Sequence, residues 1–315
     1  MPRHTDIKVV YVLGVSEQSV RTLGLSNIKT VTKAYVSLTK PRIMLFLIFT
    51  AYCAMFIAQR GVPNLQTMIV GLGGLALSAG GAAAINMWYD RDIDRIMQRT
   101  AKRPIPMGIV TPWHALVLGI GLGILSVVML ALWCNWLCAT FSLMGYLYYA
   151  VVYTMWLKRK TPQNIVIGGG AGAFPPLVGW SAVTGHQGFA AWIMFAVIFL
   201  WTPAHFWSLA LYKNDDYVRA GIPMMPIVCG SKTTKRQMVI YTFLLLLSSW
   251  LLVGSLRAQV LYIIMATAAG LLFLRSTLIL MNNKEDQMTL AKRTFLVSLM
   301  YLPAVFAAAV VCALI

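Results

Sequence analysis

Nine long apolar stretches dominate the chain, near residues 42–58, 66–89, 112–132, 135–156, 164–183, 188–211, 237–256, 258–280 and 295–314. A helix needs ~20 such residues to cross a bilayer. Together the nine take up well over half of 315 residues and leave no room for a soluble domain of any size. The runs are continuous, as from Phe46 to Ile57, whereas the strands of a membrane β-barrel alternate. Composition agrees: 59% of residues are hydrophobic and 11% charged, against ~45–50% and ~25% in soluble domains. Disordered, collagen-like and small disulfide-scaffold chains are excluded on the same ground. The expected fold is all-α, a polytopic membrane protein of nine transmembrane helices.

A surplus of 26 Lys and Arg over 9 Asp and Glu would fit a nucleic-acid partner, but its placement speaks for membrane topology. With nine spans, 24 of the 26 basic residues fall on one side, in 1–42, 91–103, 158–160, 213–236 and 275–293; only Arg60 and Arg257 fall on the other. Basic loops stay cytoplasmic, so the N-terminus is expected in the cytoplasm and the C-terminus outside. No nucleic-acid partner is expected, and the lipid bilayer itself is the first partner. Residues 1–36 carry no long apolar core or small-residue cleavage site and read as a cytoplasmic N-terminal tail with a short interfacial helix, ahead of a transmembrane domain at 37–315. None of the five cysteines forms a CxxC pair; Cys134 and Cys138, four apart at a helix end, read as packing residues.

The few acids are the informative class, since ionisable groups near membrane depth usually mark function. Five of the nine form two clusters, each after an even-numbered span. In the first, Asn86, Asp90 and Asp94 are spaced i, i+4, i+8 and fall within an arc of roughly 80° on one helix. Such an oxygen-bearing stripe suits Mg²⁺, which takes a few carboxylates together with substrate phosphates. It does not suit zinc, because no His or Cys lies nearby. Asp92 points the opposite way, toward nearby arginines. Gly80-Gly81-Ala82-Ala83-Ala84 precedes the stripe and lets a neighbouring helix or ligand come close. After it comes a basic loop closed by prolines, Arg99 to Gly108, in which Lys102 and Arg103 can meet a phosphate.

The second cluster runs from Tyr212 through Lys213, Asp215 and Asp216 to Pro226. Two acidic clusters on one membrane face predict two helix ends facing across a shared cavity, with Asp215 and Asp216 as a second metal-binding element. Metal ions neutralise a diphosphate and improve it as a leaving group, and Lys and Arg stabilise the departing charge. The residues alone thus point to an intramembrane enzyme that ionises a lipid diphosphate.

The motifs Asn86-x3-Asp90-x3-Asp94, Arg99-Thr100 and Arg103-Pro104-Ile105-Pro106-x-Gly108 resemble the UbiA superfamily of intramembrane prenyltransferases. Thr39-Lys40-Pro41-Arg42, Trp201-Thr-Pro-Ala-His205-Phe-Trp207 and Asp216-Tyr217-x2-Ala220-Gly221-Ile222-Pro223-Met224-x-Pro226 are similar to the protohaem IX farnesyltransferase (haem O synthase) family within it. The resemblance covers roughly residues 33–310. Tyr212-x3-Asp216 stands where the superfamily often has Asp-x3-Asp, and Ala204 where the narrower family usually has proline.

The resemblance implies a nine-helix UbiA-type bundle in the cell inner membrane. It implies transfer of farnesyl from farnesyl diphosphate to a vinyl group of haem b, with Mg²⁺ as cofactor and a product destined for haem–copper terminal oxidases. It would then hand product to a haem A synthase or to oxidase assembly. It assigns metal binding to Asn86, Asp90, Asp94, Asp215 and Asp216, with Asp90, Asp94 and Asp216 catalytic. Diphosphate binding goes to Arg42, Lys102, Arg103, Lys158, Arg159 and Lys213. Trp88, Tyr149 and Tyr153 offer aromatic faces to an allylic cation. His205, also among the catalytic residues and of a type that commonly holds haem iron, either ligates or orients haem or moves a proton, or is a hydrogen-bonded histidine in an aromatic helix end. The small-residue run Gly168 to Pro176 reads as a kinked helix beside a wide ligand cavity or as plain helix packing. Two rival readings remain open at this point: prenylation of an aromatic acid for quinone biosynthesis, and an ion transporter.

Overall fold

Proline and short polar side chains mark where the membrane helices begin. The computed structural model describes residues 17–283 and 286–315, with side chains from Ile28 onward. Among the described residues, nine helical segments are long and apolar enough to cross a membrane: Pro41–Gln59, Leu65–Tyr89, Pro112–Trp133, Trp136–Leu157, Asn164–Thr184, Phe189–Tyr212, Gly230–Ser255, Gln259–Asn282 and Gln287–Leu314. They are spans one to nine below. Pro41 and Pro112 stand in the first turn of spans one and three, where a missing N–H costs nothing. Asn64, Thr111 and Asn135 cap spans two, three and four through side-chain oxygens that accept from backbone N–H groups.

Most spans start and stop within a few residues of the apolar stretches. The exceptions are spans seven and nine, which start about seven or eight residues earlier than expected, at Gly230 and Gln287. Hydropathy marks where lipid begins, but backbone hydrogen bonding carries a helix further. Lys232, Lys235, Arg236, Lys292 and Arg293 therefore lie on helix ends, and Arg275 lies within span eight. Lys235 Nζ donates to the carbonyl of Asn283, tying the start of span seven to the end of span eight.

Small residues let the spans meet. A Cβ on Gly81 would sit 2.6 Å from the carbonyl oxygen of Gly119, and one on Gly179 only 2.2 Å from that of Ala51. Ser126 Oγ donates to the Gly74 carbonyl and Ser78 Oγ to that of Ser142, so hydroxyls link spans two, three and four. Small residues and buried hydroxyls are the usual means of helix association in lipid. Spans one and five pack together, as do two and three, six and nine, and eight and nine; contacts of span one with nine and of five with six join the two halves.

The small-residue run of span five serves this packing. The helix is interrupted at Gly169, between Asn164–Gly168 and Gly170–Thr184. Gly168 and Gly170 abut the rings of Tyr153 and Tyr148 on span four.

Ahead of span one, a helix at Glu17–Leu38 crosses the expected tail boundary at residue 36 and is longer than a short interfacial helix. It buries Ala34 and Leu38 against Ala84, Met87, Ile105, Val110 and Ala115. The expected tail at residues 1–16 lies outside the described residues. Cys134 and Cys138 are free thiols, and Cys138 Sγ donates to the Val178 carbonyl, as expected of packing residues.

Gly179→Ala should force span one from span five and cost about 2 kcal/mol, in the range for overpacking. Thermal unfolding in detergent would show it as a lowered Tm.

Candidate active site

At the end of the bundle where even-numbered spans finish, two aspartates disappear from solvent. Asp90 and Asp94 are 0% and 1% exposed. The chain passes from span two into a short helix, Arg91–Ile96, through Asp90. Hydrogen bonds from Asp90 N to Asn86 O (2.9 Å) and from Asp94 N to Asp90 O (2.8 Å) carry the helical path across the join. Asn86, Asp90 and Asp94 therefore keep their common stripe, and all three are buried.

A buried carboxylate is costly unless it is paired and hydrogen-bonded. Here the cations come from other loops. Lys158 Nζ donates to Asp90 Oδ2, and Arg159 Nη2 lies 3.5 Å from Asp90 Oδ1. Arg159 also forms a fork on Asp92, with both contacts at 2.7 Å. That fork pulls the exposed Asp92 carboxyl down to about 2 and raises the Arg159 guanidinium. Asp92 thus turns outward as expected, but its partner comes from the next basic loop rather than from Arg91 or Arg95. Arg103 Nη1 donates to both oxygens of Asp94, at 2.9 and 2.7 Å.

The second cluster reaches the same place. Asp216, 6% exposed, accepts from Gln98 N at 3.2 Å and from Arg219 Nη2 at 2.5 Å. Burial pushes its carboxyl up, but Arg219 and the backbone N–H groups of Gln98 and Arg99 outweigh this and hold it below its ordinary value. The Arg99 guanidinium lies over the Tyr217 ring, 5.9 Å from its centroid. The loop after span two and the loop after span six are thereby joined by direct contact.

Other expected site residues lie outside this network. Asp215, Arg42, Lys102 and Lys213 are exposed, and Lys213 lies over the Tyr212 ring at 4.6 Å. Trp88 carries the Arg91 guanidinium on its face. His205 is buried at 7% exposure, stacked between Trp201 and Phe295 with centroids at 4.1 and 4.7 Å. Its Nδ1 lies 2.7 Å from Ser298 Oγ, which itself donates to Phe295 O.

Lys40 is a site residue that the sequence reading passed over in favour of Arg42. Its Nζ donates to Asn86 Oδ1 at 2.6 Å and to Tyr149 Oη at 3.0 Å. Lys40 precedes Pro41 and takes a left-handed conformation, φ 51° and ψ 59°. Such geometry is costly for a non-glycine residue and collects at functional sites. Burial, followed by the nearby Arg103 guanidinium, lowers its ammonium to about 7 against the pull of Asp90 and Asp94. The signal in the sequence was the Lys-Pro pair, which has to break the chain direction between two helices.

Span four brings its side chains here by an uncommon route. From Tyr148 to Leu157 it is a π-helix, a rare form that bonds i→i+5 and is frequent at functional sites. A π turn takes more than four residues, so positions four, five and nine apart share a face. Tyr149, Tyr153, Thr154 and Lys158 all do. In an α-helix at ~100° per residue, Tyr149 and Lys158 would point about 180° apart. The rings of Tyr149 and Tyr153 stack at 5.6 Å with 18° between their planes.

No group of three or more His, Cys, Asp or Glu side chains near enough to hold a metal alone occurs among the described residues. The donor set is nevertheless the right kind for Mg²⁺. Two enclosed carboxylates and an amide oxygen suit a hard cation that brings diphosphate oxygens of its own. The enclosure of Asp90 and Asp94 makes this end of the bundle demand positive charge.

The UbiA prenyltransferase family matches residues 47–312. The chain belongs to the UbiA prenyltransferase family. Among curated relatives, the protoheme IX farnesyltransferase of Symbiobacterium thermophilum is 50% identical over 278 residues, covering 88% of this chain and 93% of its own length. That of Sinorhizobium fredii is 45% identical, covering 92% of each. Of solved structures, a digeranylgeranylglyceryl phosphate synthase superposes with a TM-score of 0.75 at 19% identity, over 90% of this chain and 99% of its own. A UbiA homologue from Archaeoglobus fulgidus bound to DMAPP and Mg²⁺ gives 0.64 at 17%, over 87% and 98%. At such identities these two structures establish the shared UbiA fold of a multi-pass membrane protein.

Arg103→Met should leave Asp94 buried without its cation and cost about 3 kcal/mol, near the lower end for breaking a buried pair. Arg103→Lys should recover most of the loss, since a single nitrogen makes both contacts to Asp94. Tm values of both variants against the parent test this.

Proposed function

We propose that this UbiA enzyme transfers the farnesyl group of farnesyl diphosphate to a vinyl group of protohaem IX. The products are haem O, which carries a hydroxyethylfarnesyl group, and diphosphate. Relatives carrying that activity in their name, at 44–50% identity over most of both chains, support the acceptor. The observation that carries the chemistry is the convergence of Lys40, Arg103, Lys158 and Arg159 on the buried Asn86–Asp90–Asp94 stripe.

In this reading Asn86, Asp90 and Asp94 hold Mg²⁺, with Asp216 completing the grip from the second rim. Mg²⁺ bound there neutralises the diphosphate and improves it as a leaving group. Lys158, Arg159, Arg103 and Lys40 take up negative charge as the C1–O bond breaks. The stacked Tyr149 and Tyr153 present π-faces to the allylic cation. The haem vinyl carbon attacks farnesyl C1. Water captures the cation left beside the porphyrin and loses a proton, giving the hydroxyl. His205 serves the acceptor. With the Ser298 hydroxyl proton donated to Phe295 O, Nδ1 carries the imidazole proton and Nε2 keeps its lone pair for iron or for a proton.

The basic loops share the site's end of the bundle, and the positive-inside rule turns that end to the cytoplasm. The enzyme then works from the cytoplasmic face of the cell inner membrane. Its N-terminus lies inside, its C-terminus lies outside, and residues 37–315 form the transferase domain. A haem product of this kind passes to haem A synthase or terminal-oxidase assembly.

Expression in cells lacking their own haem O synthase should restore haem O, identified by mass. Conversion of a phenolic acid instead of haem would refute the reading. Asp90→Asn should lower turnover at least 10²-fold with the protein still folded, and chelation of divalent metal should abolish turnover reversibly. Wild-type rates in Asp90→Asn would remove that residue from the metal site.

A further inference from the structure

Thr154 belongs to no motif read above, yet it is fully buried within the site. Its Oγ1 donates to Tyr149 O, five residues earlier, at 2.8 Å. It also accepts from Asn86 Nδ2 at 3.1 Å. A threonine hydroxyl has one proton and two lone pairs. With that proton on Tyr149 O, Thr154 can only accept from Asn86.

Together with the Asp90 and Lys40 contacts, this favours one orientation of the Asn86 amide. Its Nδ2 donates one hydrogen to Thr154 and the other to Asp90 Oδ2 at 2.8 Å. Its Oδ1 is left to face Lys40 Nζ at 2.6 Å. The two ends of an amide are nearly identical in shape, so hydrogen bonds alone fix its orientation. A flipped Asn86 would set oxygen against a lone pair and a carboxylate, and nitrogen against an ammonium. Lys40 also donates to Tyr149 Oη, so Lys40, Asn86, Thr154 and Tyr149 close a ring.

The π-helix makes this possible. In an α-helix a threonine hydroxyl bonds the carbonyl three or four residues back. A residue five positions on would point about 140° away.

We propose that Thr154 is a positioning residue: with Asp90 it takes both Nδ2 hydrogens of the Asn86 amide and so keeps Oδ1, which accepts from Lys40 here, as the oxygen a metal would use. The proposal rests on the reading of Asn86 as a metal ligand given above. Partners that orient metal ligands typically change metal affinity ~10–100-fold when lost. Thr154→Val keeps the shape and removes the hydroxyl; Thr154→Ser keeps the hydroxyl.

The test is Mn²⁺ binding to the purified full chain, followed by electron paramagnetic resonance with farnesyl thiolodiphosphate, an unreactive diphosphate analogue. Thr154→Val should weaken Mn²⁺ about 10-fold, and Thr154→Ser should restore most of the affinity. In an Asn86→Ala background, Thr154→Val should have no further effect, as required if it acts through the amide. Thr154→Ala replaces the valine variant if that one has a lowered Tm. Unchanged affinity in Thr154→Val, or an equal further loss without Asn86, would overturn the proposal. If the parent protein binds no Mn²⁺ with the analogue, the metal-site reading itself falls and this inference falls with it.

Discussion

Two carboxylates without solvent, Asp90 and Asp94, set the terms for one end of this protein. Neither can stay charged inside a bundle of apolar helices without cations close by. No single helix supplies them. Lys158 and Arg159 come from the end of span four, and Arg103 from the proline-closed loop after span two. Lys40 reaches the neighbouring Asn86 from ahead of span one. Asp216 is held against the backbone of Gln98 from beyond span six. The loops between spans are therefore fixed by charge balance, while the spans themselves are fixed by small-residue contact. The cost of isolating the acids is met by cations drawn from separate loops.

Much of this was legible in the residues. Nine apolar runs fix the number of helices, because the backbone has few other ways to cross lipid. The i, i+4, i+8 stripe survives in three dimensions since the helical path continues through Asp90. Joining of the acidic clusters followed from their shared face. Where hydropathy alone was the guide, it misplaced the starts of spans seven and nine, whose basic first turns are helical without being apolar. Arg275, counted with the inner basic residues, lies inside the eighth apolar stretch and on its helix.

What stayed hidden depends on tertiary contact. Nothing in Tyr148 to Leu157 announces i→i+5 bonding, and its aromatic and β-branched residues read as an ordinary span. Glycines of span five let its tyrosine rings approach closely, a contact that the sequence of span four alone does not show. Without that winding, Lys158 and Tyr149 belong to opposite faces and Thr154 has no visible role. Lys40 was hidden for a related reason: its value comes from a left-handed backbone that only the break before Pro41 creates. For His205, neighbouring aromatics announced enclosure, but its Ser298 contact comes from span nine.

The winding of span four carries a consequence for comparing sequences. Widening one turn by a residue uses up chain length without adding height, much as an insertion would. A relative whose corresponding helix is wound normally would need a gap near Thr154 for its downstream lysine to fall opposite Lys158. An ungapped pairing would match this lysine with a residue on another face of the helix. Correspondence in this stretch is best judged by which side chain meets the carboxylate of Asp90, not by counting along the chain.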